Sequence, residues 1–416
     1  MISIYTEAIR LFKGRRLLLD TKLLYLYEQA SYSLSNFVFL FMVARNLGAE
    51  EFGRFSTLYL IMMLFVALET SFILQFYTVK AAVKKNIIAR TLVPGLLFFL
   101  PLCLFTACYV SIDSGYLFSI LFIFLLIFRF FNEFNRRVCV ISGDIGKQIS
   151  INFISLFGLV LCVSLTGVTN YYYAIYLLVA AYGLTTLSYF LINNQKFEVI
   201  WDWSYQIHSL RMMFSANGWM IIVAIFAYLS AQFLPVILSE VVSPKDAGYL
   251  MALLSYLGLS QVILQALNIY YLKKSAGLFV KISRHEGCSI ANSIGNKMAM
   301  TMMVALFPLV LFSENFISLL YGSDFEISLS SVVFVYLYFV VMSKYQGFAN
   351  YHKVYMKTIL IFYSSLSAMI VVYSAGFSVF MDFGYEGASA LILIGAITSY
   401  LVLKGLTLID LKKVRA

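Results

Sequence analysis

The sequence predicts an all-α polytopic membrane protein of about twelve transmembrane helices, arranged as two parallel six-helix lobes with a central cavity between them. Three observations lead to this class. Of the 416 residues, 62% are hydrophobic and 12% are charged, roughly half the charge content of a typical soluble chain, so most of the surface must face lipid. Apolar runs of about 20 residues, the length that crosses a ~30 Å hydrocarbon layer, recur along the whole chain. The basic residues also concentrate in every second loop.

The spans fall at roughly 24–45, 55–78, 91–110, 116–138, 149–167, 171–192, 213–238, 248–271, 297–318, 329–350, 355–375 and 385–406. A membrane β-barrel would alternate apolar and polar residues in ~10-residue strands. Segments such as "YLFSILFIFLLIFRFF" (116–131) are apolar on nearly every face and read as helices. Residues 1–23 hold a basic cluster behind a short amphipathic stretch, with no small-residue cleavage site, and are expected to form an interfacial segment rather than a signal peptide. The N-terminal lobe is then 24–192, the linker 193–212, the C-terminal lobe 213–406 and the tail 407–416.

Charge gives the orientation. Of the 30 lysines and arginines, 26 lie in the N-terminal segment, near alternate span ends or in alternate loops; Arg45, Arg54 and Lys245 lie on the opposite side, and Arg129 is inside a span. The positive-inside rule puts the basic side and both termini in the cytoplasm. It also accounts for the net charge of +10 without nucleic acid. The inner loops near 193–212 and 272–296 have helical patterning and basic residues, and are expected to lie on the membrane surface.

"GAEEFGRFSTL" (48–58) aligns with "SPKDAGYLMAL" (243–253), placing Glu51 on Asp246 and Gly53 on Gly248; "FGYEGASALIL" (383–393) is a weaker echo. A carboxylate near a helix N-terminus interacts favourably with the dipole and the free N–H groups, and the nearby glycine permits close packing. Glu50 and Glu51 are therefore read as helix-start residues rather than catalysts. Because the aligned tips open the second and eighth spans, the repeat unit is six spans, a recurring transporter plan with the substrate path between the lobes.

"NFVFLFMVARNLGAEEFGRFS" (36–56) resembles the first hairpin of the Wzx-type O-antigen and polysaccharide flippases, which belong to the multidrug/oligosaccharidyl-lipid/polysaccharide (MOP) exporter superfamily. "LLYGSDFEISLSSV" (319–332) resembles that family's tyrosine–glycine–acid–aromatic motif, and "SPKDAGYLMAL" the start of its eighth span. The resemblance implies a MATE-like fold and a non-enzymatic transporter. Such a protein moves an undecaprenyl-diphosphate-linked oligosaccharide, an O-antigen or similar surface polysaccharide unit, across the bacterial inner membrane by alternating access. It implies no cofactor beyond coupling to H+ or Na+, with polysaccharide polymerases as partners. No Walker A motif is present, since "GDIGKQ" (143–148) lacks its spacing and its Ser/Thr. Two rivals remain: an exporter of another lipid-linked precursor or amphiphile, and a membrane polysaccharide polymerase or glycosyltransferase.

Ionisable residues inside spans cost about 2.5–3.5 kcal/mol each at the bilayer centre and mark candidate sites. They are Glu28, Glu69, Arg129 and Glu133. Arg129, Asn132, Glu133 and Arg136 share a helix face. They read either as a cationic ladder for a lipid diphosphate, since guanidinium forks onto phosphate oxygens, or as an Arg129–Glu133 pair with a topology anchor. Glu28, Tyr32, Ser35 and Asn36 form a stripe on the first span, with Gln29 adjacent, and Gln261, Gln265 and Asn268 form another on the eighth. Such stripes hydrogen-bond sugar hydroxyls or serve as interhelical glue. Glu28 and Glu69 are the cavity carboxylates expected to take a proton or sodium ion, Glu69 alternatively pairing with Arg129. Lys344, near the cytoplasmic mouth, meets an entering diphosphate or snorkels. The histidines and cysteines have no metal-ligand spacing, so no metal site is expected.

Overall fold

The computed structural model describes residues 21–74, 88–192, 202–258, 260–279, 282–355 and 357–415, and among these every element is helical. The expected interfacial segment lies almost wholly outside the described residues. In chain order the helices are α1 (Thr21–Glu69), continued by a π-helical turn (Thr70–Leu74), α2 (Ile88–Ser114), α3 (Tyr116–Ser142), α4 (Ile145–Thr166), α5 (Tyr171–Ile192), α6 (Trp203–Leu229) and α7 (Leu234–Val241). Then follow α8 (Pro244–Gly258), α9 (Ser260–Phe279), α10 (Arg284–Leu311), α11 (Ser313–Tyr321), α12 (Leu329–Val354) and α13 (Thr358–Arg415).

Among the described residues, eight helical segments are long and apolar enough to cross a membrane, and a ninth is gained when the pieces of α6, bent by 58°, count as one span. One of the eight, Tyr27–Leu74, has 48 residues and would reach about 72 Å if straight, more than twice the hydrocarbon thickness. Gly48 breaks it: its φ of 72° lies in the left-handed region that glycine adopts freely. Gly384, with φ of 52°, breaks α13 in the same way. These two helices therefore supply the first, second, eleventh and twelfth expected spans. The third to sixth are α2 to α5, the seventh is α6 with α7, the eighth α8 with α9, the ninth α10 and the tenth α12. Large apolar side chains such as Phe105, Leu165, Leu191 and Phe157 are 70% or more exposed. An apolar surface of this kind belongs against lipid, and the protein is a multi-pass membrane protein.

The two longest inner segments are helical where they are described, as their patterning predicts. Residues 284–296 are the first turns of α10, started by a capping box in which Ser283 and Glu286 exchange hydrogen bonds with each other's backbone N–H. The ninth span therefore begins well before residue 297, and Phe312 separates it from α11. In the inter-lobe segment, 193–201 lie outside the described residues; Asp202 accepts from the N–H groups of Ser204 and Tyr205 and starts α6, whose first piece, 203–215, is bent by 58° from the piece that follows.

The halves meet at their acidic ends through the two aligned glycines. A Cβ on Gly53 would lie 1.6 Å from the carbonyl oxygen of Pro244, and one on Gly248 would lie 2.0 Å from that of Ala49. In the six-span alignment Ala49 corresponds to Pro244, so the crossing of the second and eighth spans is reciprocal. The aligned acids correspond as well. Glu51 Oε2 accepts from the backbone N–H of Tyr171 at 3.2 Å, at the start of the sixth span, and Asp246 Oδ1 accepts from that of Tyr385 at 3.1 Å, at the start of the twelfth. Each acid thus caps a neighbouring helix in the same relation. Above the crossing, buried Phe325 of the "YGSDF" stretch packs edge-on against Phe52 and Tyr249 at 6.0 and 6.1 Å, joining the two halves. One apolar core runs from Phe39 to Ala396 through both.

Candidate functional site

The first and fourth spans bring most of the expected charges together. Arg136 donates from Nε to Glu28 Oε1 at 2.6 Å, from Nη1 to Glu133 Oε1 at 2.8 Å and from Nη2 to Gln29 Oε1 at 2.6 Å. Its guanidinium also lies 4.0 Å from the Tyr32 ring centroid. Tyr32 Oη donates to Glu133 Oε2 at 2.9 Å and accepts from Arg129 Nη2. Arg129 and Glu133 are 3.8 Å apart. All four charged side chains are at least nine-tenths buried. Two arginines facing two glutamates cancel formally, and the hydrogen bonds supply what water would have supplied; without them burial of each ion would cost several kcal/mol. The helical spacing produces this arrangement, because residues 129, 133 and 136 follow one face of α3 while 28 and 32 follow one face of α1.

The fourth-span stripe is consequently a closed ion-pair network rather than a row of free cations. Arg136 is committed to Glu28 and Glu133, so an anion reaches it only by displacing a carboxylate. Arg129 retains an unpartnered donor, its buried Nε, and its guanidinium lies 5.0 Å from the Tyr182 ring centroid. Asn132 donates to the carbonyl of Tyr182 at 3.0 Å and leaves its own Oδ1 unpartnered.

Beside the network lies a cavity of about 30 Å³ lined by Tyr32, Asn36, Arg129, Asn132, Gln148, Asn152 and Tyr182, among others. That is room for about one water molecule. The polar groups on its wall are amides, hydroxyls and guanidinium, set among apolar carbon such as Leu159, a surface suited to water, a sugar hydroxyl or an anion oxygen. Asn36 accepts from Tyr182 Oη at 3.4 Å. The fifth and sixth spans contribute uncharged residues that the sequence analysis does not name: Gln148, Asn152 and Ser155 on one face of α4, and Tyr182, Thr185 and Tyr189 on one face of α5. Their i, i+3, i+4, i+7 spacing was the available signal.

Glu69 is buried next to this network, with Glu133, Arg129 and Arg137 as its electrostatic neighbours, and its Oε1 has no hydrogen-bond partner. It stands one residue before the π-helical turn at Thr70–Leu74, a local departure that recurs at functional sites. The remaining expected residues lie elsewhere. Gln265 is exposed and Gln261 half-buried, and neither lines this cavity. Asn268 accepts from Asn350 at 2.6 Å, an interhelical contact. Lys344 is on α12, over the ring of Tyr400.

A counterpart cavity of about 50 Å³ occupies the second half, lined by Ala227, Ser230, Tyr338, Tyr345, Ser365 and Ser399, among others. It draws on the seventh, tenth, eleventh and twelfth spans, as the first draws on the first, fourth, fifth and sixth. Its lining has no charged side chain.

This architecture has solved counterparts. The chain is similar to an inward-facing multidrug resistance MATE family transporter of the MOP superfamily, with a TM-score of 0.67 and 12% identity over 92% of this chain and 95% of that one. It is similar to the lipid II flippase MurJ in an inward closed conformation, with a TM-score of 0.60 and 16% identity over 91% and 86%. A third is a Pyrococcus furiosus MOP superfamily transporter described by the reverse polarity of its binding pocket, at 0.61 and 10% identity over 96% of each chain. The fold is that of the MOP-superfamily transporters. No protein-family model and no curated protein sequence matches the chain.

Proposed function

We propose that this protein is a flippase that carries an undecaprenyl-diphosphate-linked oligosaccharide, a unit of O-antigen or a similar surface polysaccharide, across the bacterial inner membrane by alternating access. In this reading the basic loops and both termini are cytoplasmic, and residues 24–192 and 213–406 are the moving lobes, joined at 193–212. The observation that carries the proposal is the arginine-bearing cluster buried within the bundle of a transporter fold. Intramembrane ionisable residues mark substrate or ion pathways by default, and arginine is the side chain suited to a phosphate ester. A carrier of organic cations would want carboxylates without the arginines.

Arg129, with its free Nε and its place on the cavity wall, is the contact for the diphosphate, and the amides and tyrosines around it are contacts for hydroxyls. Arg136 is held by Glu28 and Glu133 and sets the shape of the network. Glu69, unpartnered at Oε1, is the carboxylate that takes the coupling proton or sodium ion. The short outer loops and the single outer pair Glu50–Glu51, which is engaged with Arg54 at 2.9 and 3.6 Å, support transport over glycan polymerisation.

The test is reconstitution in liposomes with a labelled polyprenyl-diphosphate oligosaccharide, following its exposure to a membrane-impermeant enzyme. Protein-dependent movement, lost in Arg129→Ala while the variant remains folded, is the expected result. Elongation of the lipid-linked chain without movement would overturn the reading in favour of a polymerase.

A further inference from the structure

The second half of the molecule carries a charged feature that the proposed function does not use. Lys344 on α12 and Lys404 on α13 both stand over the ring of Tyr400, with Nζ at 5.3 and 5.9 Å from its centroid. Lys344 is about 22 Å along α12 from its start, and Tyr400 about 24 Å along α13 from the Gly384 break, so the helices bring them to one depth. Both lysines are half-buried. Lys357, further towards the same end, is paired with Asp410 at 2.5 Å, whereas neither Lys344 nor Lys404 has a carboxylate partner among the described residues. Tyr400 Oη is buried and likewise has no partner.

Three groups with donors to spare therefore stand around one ring, and among the described residues no carboxylate meets them. An ammonium has three donors and no acceptor, and a phenol donates one more. Two like charges on one ring in a partly dehydrated place repel, and the ring quadrupole offsets only part of that. The first half shows how the same arrangement is balanced when the protein supplies the counter-charge. There Arg129 of the fourth span stands 5.0 Å over Tyr182 of the sixth, and Glu133 neutralises it. Lys344 and Tyr400 occupy the tenth and twelfth spans, the six-span equivalents, without the glutamate.

We infer that Lys344, Lys404 and Tyr400 form a binding site for a phosphate ester, whose oxygens accept from both ammonium groups and from the tyrosine hydroxyl. Two sources carry this chemistry: the headgroup of an anionic phospholipid, and the diphosphate of the polyprenyl carrier. Only the second rests on the flippase reading.

The experiment measures binding to the full-length protein in nanodiscs by native mass spectrometry, with undecaprenyl diphosphate, undecaprenol and phosphatidylglycerol as probes. The diphosphate or phosphatidylglycerol is expected to bind at least about tenfold more tightly than undecaprenol. Lys344→Gln with Lys404→Gln removes that margin, Tyr400→Phe weakens binding about threefold, and the two-arginine replacement retains it. Preference for the diphosphate identifies the carrier, and equal competition by phosphatidylglycerol identifies a headgroup; either supports the site. Undecaprenol binding as tightly as its diphosphate, or a folded double glutamine variant binding within about twofold of the unmodified protein, would overturn it. Should the double variant fail to fold, Lys404→Gln alone carries the test. Failure of the flippase reading is separable, since it shows as no movement of any glycan lipid while phosphate binding at Lys344 and Lys404 persists.

Discussion

The two halves of this molecule are alike at their acidic ends and unlike in their interiors. At the ends, Gly53 and Gly248 receive each other's neighbouring carbonyls, and Glu51 and Asp246 cap equivalent helices. In the interiors, the first half buries two arginines with two glutamates, and the second has a neutral cavity and two lysines with no carboxylate partner among the described residues. The difference separates two demands. Closing the acidic end is a packing problem with one reciprocal solution, so both copies of the repeat keep it. The interiors are under no such shared constraint, and the charged side chains are where the copies part.

Removing a partner from the first-half network should have the largest effect. Arg136→Ala leaves Glu28 and Glu133 buried without their counter-ion, an expected loss of about 3–5 kcal/mol, read as a lowered unfolding midpoint in detergent. Lys404→Ala, with no carboxylate to orphan, should fall within about 0.5 kcal/mol. Equal losses at the two positions would break the contrast between the interiors.

Next come the glycines of the crossing. Gly53→Val and Gly248→Val each drive a side chain into a backbone carbonyl, and overpacking of this kind costs about 1–3 kcal/mol. A cysteine replacing buried Ser56, one turn below the crossing, should become reactive towards a membrane-impermeant maleimide in either variant. The two substitutions should act alike, and an effect confined to one would show that the ends are less equivalent than their contacts.

Of similar size is Tyr32→Phe, which deprives Arg129 and Glu133 of their shared hydroxyl and should cost about 1–3 kcal/mol. Tyr400→Phe should cost about 0.5 kcal/mol or less in the absence of ligand, because its hydroxyl has no partner to lose. Comparably small is the pair Glu51→Gln and Asp246→Asn. Each keeps an acceptor for the neighbouring helix and loses the charge at its N-terminus, about 0.3–1 kcal/mol, nearly equally in both halves, since the pairing of Glu51 with Arg54 is exposed and adds little.

Much of the fold was legible because lipid imposes a length and a composition on every span. The alignment of Gly53 with Gly248 was readable because a close helix crossing needs residues free of a Cβ, whereas the breaks themselves fall at Gly48 and Gly384, which the sequence pattern alone does not single out. That 284–296 continue into the ninth span is less legible, because Arg284, His285, Glu286 and Lys297 give the segment an interfacial composition, while the Ser283–Glu286 capping box marks the true helix start. Within the site, the stripes of the first and fourth spans were visible from spacing. Those of α4 and α5 had the same spacing but no charge to draw attention, and Lys404 resembled a topology lysine.

By itself, then, the sequence determined the membrane class, the order of the spans, the six-span repeat and the faces on which polar residues sit, since these depend on local periodicity and on the cost of exposing polar groups to hydrocarbon. Only the tertiary structure decided which faces meet. That Arg136 is held by Glu28, that Glu51 and Asp246 cap helices other than their own, and that Lys344 and Lys404 share one tyrosine are pairings between residues far apart in the chain. Helical period places a side chain on a face, but the partner it finds is set by how the helices cross and rotate against one another.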